Sequence, residues 1–157
     1  MEALLKIVHV LAAVVWVGGM VFAHFFLRPS LEAAGLEPAQ RLQLMREVLR
    51  RFFAAVGAAV ALLLVSGAWL IERAATMVEA TGGQLVMPWS WSLMTGLGLV
   101  MAIVFAYIRL RLFVALQRAL DAGQRPAAAV ALAQIRTWVG VNLLLGTVVI
   151  AVAVARV

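Results

Sequence analysis

The chain holds two histidines, His9 and His24, and no cysteine, and both histidines fall in one apolar stretch, Leu4 to Leu27. An ionisable side chain inside a membrane-length helix is costly and marks a functional site by default. Along a straight helix the two lie roughly 22 Å apart, and at about 100° per residue they end about 60° apart around the axis. Trp16 and Met20 fall within about 20° of His9. One face therefore presents His9, Trp16, Met20 and His24, with Ala12, Ala13, Gly19 and Ala23 beside them. Imidazole and thioether are ligands for Cu(I), so His9, Met20 and His24 form a candidate copper set. Met20 and His24 are spaced i, i+4 and can serve one site. At the other end Met1, Met87 or Met94 are placed to join His9. Two sites at opposite depths on one helix suit the start and finish of an ion path.

The same face admits two other readings. A b-type heme needs axial ligands on opposite faces of one ring, which His9 and His24 of one chain are too far apart to supply. A two-fold homodimer would bring His9 against its mate, with Trp16 alongside and Gly18 and Gly19 leaving room for a flat ring. Alternatively the methionines fill gaps and the histidines bond to neighbouring helices. The chain is then a non-catalytic subunit of a larger membrane complex. No catalytic residue is assigned, because Glu2, Glu32, Glu37, Glu47, Glu72, Glu79 and Asp121 all lie outside the expected spans. That disfavours hydrolysis and proton pumping through buried acids.

The elements that position this face follow from composition. Of 157 residues, 66% are apolar and 13% charged, against about 45–50% and about 25% in a soluble domain. Four stretches are long enough to cross a bilayer: 4–27, 52–71, 91–108 and 137–155. The expected fold is all-α, a single integral-membrane four-helix bundle over residues 1–157. Lys6, the apolar run and Val21-Phe22-Ala23 imitate a signal peptide, but the run is too long and Phe25-Phe26 follows it. The first span is therefore expected to be retained. Trp89 and Trp91 read as an interfacial anchor of the third span.

Arginine is concentrated in two connections: Arg28, Arg41, Arg46, Arg50 and Arg51 in one, and Arg109, Arg111, Arg118, Arg125 and Arg136 in the other. The connection between spans two and three has only Arg73, with Glu72 and Glu79; Lys6 and Arg156 mark the chain ends. Positive-inside counting places the Arg-rich connections in the cytoplasm and both termini outside, in a bacterial inner membrane. The net charge of +6 is thereby a matter of topology and lipid contact, and no nucleic acid is implied. Leu42, Met45, Val48, Leu49 and Phe52 predict an amphipathic cytoplasmic helix that lies on the membrane or runs into span two. Pro29 is expected to close span one, and Asp121 to Pro126 to form the second cytoplasmic turn. Ala54, Ala58 and Ala61, with Gly57 beside them, are expected to line span two for close packing. Ser66, Thr95, Asn142 and Thr147 are expected to be buried polar groups bonding between helices.

His9-x6-Trp16-x-Gly18-Gly19 resembles the opening span of the bacterial CopD-like (copper resistance protein D) membrane proteins, and a similar pattern opens the HemJ-type protoporphyrinogen oxidases. The resemblance to the four-span CopD-like proteins continues through Arg28-Pro29, Arg50-Arg51-Phe52-Phe53, Ser66-Gly67, Gly98 to Met101, Ile135-Arg136 and Val141 to Gly146. It implies membrane copper handling, by transport or homeostasis. The HemJ resemblance implies heme b and porphyrinogen oxidation. Where relatives of the two kinds are expected to carry further histidines and a lysine in span three, this chain has Ser92, Tyr107 and Thr95.

Overall fold

A chain this apolar must satisfy its own backbone hydrogen bonds, and in lipid that means helices. The computed structural model describes residues 2–155. Met1 and Arg156 lie outside the described residues, and with them the expected part of Met1 beside His9. Four long helices follow one another: α1 (Glu2–Ala33), α2 (Pro38–Glu79), α3 (Trp89–Asp121) and α4 (Arg125–Ala155). All four are long and apolar enough to span a membrane.

The helix boundaries have local causes. Gly35, with a φ of 64°, makes the left-handed turn after α1. Glu37 then caps α2 in a reciprocal box with Gln40, and Pro38 takes the first helical position. The amphipathic segment does not lie apart on a surface. It is the first part of a 42-residue helix that runs straight into span two. Its apolar side turns inward, with Leu42 and Leu49 buried. Gly123, with a φ of 69°, closes the turn between α3 and α4.

Consecutive helices pack antiparallel. A Cβ built on Gly67 would lie 3.4 Å from His9, and one on Gly19 would lie 2.6 Å from Phe52, so α2 runs against α1. On the other side, Tyr107 meets Trp138 edge to face at 5.5 Å, while Met101 reaches Gly146. Glu2 and Ala155, the first and last described residues, thus lie at one end of the bundle and both Arg-rich connections at the other. At the Arg-rich end Phe53 takes edge-to-face contacts with Phe105 at 6.1 Å and Phe113 at 5.2 Å. Arg46 reaches Asp121 at 2.8 Å and ties α2 to the end of α3.

Three expectations are corrected. Pro29 does not close α1: the helix widens into a π-helical turn over Phe22–Leu27 and continues through Pro29 to Ala33. The wide turn relaxes the bonding that the proline ring would break, and Ser30 Oγ donates to Phe26 O at 2.8 Å. The axis is therefore not a uniform α-helix between His9 and His24. Ala54, Ala58 and Ala61 face outward, because Phe53, Val56 and Val60 fill the interior with more apolar volume. Thr95 and Thr147 are also exposed, and Thr147 Oγ1 donates to its own helix at Leu143 O, 3.0 Å. Ser66 and Asn142 are buried as expected.

Candidate metal-handling face

His9 lies five residues inside the start of the first expected span, and Ser66 five residues inside the far end of the second. In an antiparallel pair these are equal depths, and the structure joins them: His9 Nδ1 and Ser66 Oγ are 2.8 Å apart. Ser66 has one hydroxyl proton, and its Oγ lies 2.5 Å from Leu62 O, one turn back. With that proton donated to the carbonyl, Oγ accepts from His9 Nδ1–H. This fixes the imidazole tautomer and leaves Nε2 with a free lone pair. Metal-binding histidines are held in the same way, one ring nitrogen donating to an oxygen while the other faces the metal. Gly67 lies beside the ring, where a built Cβ would stand 3.4 Å from His9 Cε1, an ordinary packing contact.

Below His9 the face closes. Ala12 and Trp16 are buried, and Trp16 meets Phe105 edge to face at 6.3 Å. Met20 is 2% exposed and belongs to the core. His24 stands on the π-helical turn, half-buried, edge to face with Phe25 at 5.0 Å. A Cβ on Gly140 of α4 would sit 3.9 Å from its Cε1. A π turn inside an α-helix is uncommon and recurs at functional sites. The described residues hold two such turns, over Phe22–Leu27 and Ile108–Leu112, and the first carries one of the two histidines.

The structure therefore separates the predicted residues into two groups on one helix. His9 pairs with α2 near the terminal end, and Met20 with His24 lies toward the Arg-rich end, next to α4. Among the described residues no three or more His, Asp or Glu side chains gather into one metal cluster. Met87 is exposed in the connection before α3. Gly18 opens outward, and the Phe52 ring occupies the space over Gly19. His9 bonds across to Ser66 of α2.

Sequence reasoning missed two features. Ser66 was legible as a buried polar group, and matching depths across the antiparallel pair was the signal that would have assigned it to His9. Asn142 is 1% exposed, and its Oδ1 has no hydrogen-bond partner. A buried acceptor left unmatched costs about 1–3 kcal/mol. Nothing in the sequence distinguishes a satisfied asparagine from an orphaned one.

The family model described as copper resistance protein D matches residues 46–156. No curated protein and no solved structure gives a match. The matched segment takes in α2 from Arg46 onward and nearly all the rest of the chain, including Ser66, Gly140 and Asn142; α1 and its histidines precede it. With four apolar helices the molecule is a multi-pass membrane protein, and the match over more than half of its length makes it a member of the copper resistance protein D (CopD) family.

Proposed function

We propose that this protein carries copper as Cu(I) across the bacterial inner membrane, with both termini outside and the Arg-rich end in the cytoplasm. Copper is the cargo. His9 takes it near the outer surface, and Met20 with His24 passes it toward the cytoplasmic side. The observation that supports this most is the His9–Ser66 hydrogen bond, which prepares Nε2 as a ligand. Copper suits a donor set of imidazoles and thioethers without thiolate. Family membership ties the chain to copper resistance without saying which step it performs. The closed packing at Ala12 and Trp16 separates the two ends, as expected of a carrier that does not leak ions.

X-ray absorption at the copper edge, on Cu(I)-loaded protein in mild detergent, tests the ligand assignment. The wild type should show imidazole nitrogen scattering, and the His9→Ala/His24→Ala double variant should lose it. Nitrogen scattering unchanged in a folded double variant would overturn the assignment.

A further inference from the structure

Asn142 lies on the side of α4 that faces α1 and α3. Two contacts fix its level. Gly140 stands against His24, with a built Cβ 3.9 Å from Cε1, and Gly146 stands against Val17, with a built Cβ 3.0 Å from Cγ2. As α4 runs from residue 140 to 146, α1 therefore runs from 24 back to 17. Asn142 thus falls opposite the turn of α1 that contains Met20. Gly146 is four residues beyond Asn142 on the same helix face, and the Met101 methyl of α3 would lie 3.1 Å from a Cβ there. Three buried side chains from three helices, Met20, Met101 and Asn142, thus lie within about one helical turn of one another along the bundle. Two are thioethers, and the third offers an amide oxygen with no donor.

An uncharged donor set of two thioether sulfurs and one amide oxygen is poorly matched to a strongly hydrated divalent ion. It matches a soft monovalent one that gives up water readily. We propose that Asn142 Oδ1, Met20 Sδ and Met101 Sδ form an interior binding site for a dehydrated soft cation, Cu(I) or its analogue Ag(I). The site lies about 6 Å along α1 from His24 and accepts the ion before His24 does. The orphaned oxygen then has a purpose: its partner is the cargo. This inference rests on the copper-carrier reading and adds an intermediate station that the histidines do not supply.

Methionine-methyl NMR on the full-length protein in detergent, titrated with Ag(I), provides the test. The Met20 and Met101 methyl signals should shift together at one equivalent, while exposed Met87 stays still. Asn142→Leu removes the oxygen at similar volume and should weaken the Met20 and Met101 response at least tenfold. Because a core change can disturb folding, Met101→Leu serves as the second variant and should weaken the Met20 response alone. Full response in folded Asn142→Leu would overturn the assigned oxygen. Histidine ring and Met20 signals that shift while the Met101 methyl stays fixed would overturn the interior site and leave the copper reading standing. No response to Ag(I) from histidines or methionines would overturn both.

Discussion

At the level of single residues, copper capture as proposed depends on His9 having one free nitrogen in a defined direction. Ser66 supplies that direction by accepting from Nδ1 while donating to Leu62. Ser66→Ala should lower Cu(I) affinity about 10–100-fold, the usual consequence of losing an outer partner of a metal-binding histidine. It should cost only about 1 kcal/mol in stability. Ser66→Thr keeps the hydroxyl and should restore most of the affinity, as measured by competition with a Cu(I) chelator. Equal affinities for Ala and Thr at this position would remove Ser66 from the account. His9, Met20 and His24 were legible as residue types because ionisable and soft side chains stand out in an apolar helix. Their partners were not, because a hydrogen bond across 57 residues depends on the pairing of helices.

At the level of elements, the close approach of α1 to α2 rests on Gly19 and the Phe52 ring. A Cβ at position 19 would fall 2.6 Å from Phe52 Cε2, closer than packed carbons tolerate. Gly19→Ala should therefore destabilise the bundle by about 1–3 kcal/mol, and Phe52→Ala should relieve part of that loss in the double variant. Thermal unfolding of the four proteins in one detergent measures the coupling, and strictly additive effects would contradict the contact. On the Arg-rich part of α2, hydrogen bonds from Arg50 and then Arg51 hold the Glu47 carboxyl down to about 2. Its folded pKa is depressed, so its contribution is fully present above the ordinary carboxylate value of 4.5 and disappears as the pH falls toward 2. Glu47→Gln should flatten the pH dependence of stability in that window, by a small amount because the pair is exposed to solvent. The four helices were legible from apolar run length, since lipid leaves the backbone few alternatives. The π-helical turn of α1 was not. It depends on how Pro29 is accommodated, and the residue pattern of a straight helix contains no sign of that.

At the level of the whole molecule, the bundle is asymmetric from end to end. The Arg-rich end holds the aromatic contacts of Phe53 and the Arg46–Asp121 bond, while the opposite end holds the His9–Ser66 pair. The charge pattern predicts an orientation, with the arginines in the cytoplasm. Single cysteines at Gly82 and Gly123, two left-handed turn positions, would report it in intact cells. An impermeant thiol reagent should label position 82 and not position 123, and the reverse would invert the direction proposed for copper. Charge distribution made the ends of the molecule legible, but not which small residues face inward. Ala54, Ala58 and Ala61 look like packing residues in sequence and face outward in the bundle, because larger neighbours on α2 fill the core. Passage of copper across the membrane along the α1 face is tested by uptake into proteoliposomes that hold a trapped Cu(I) chelator. Wild-type protein should accelerate Cu(I) entry over empty vesicles, and His9→Ala and His24→Ala should each slow it at least tenfold; entry no faster than in empty vesicles, or undiminished in both variants, would contradict the account.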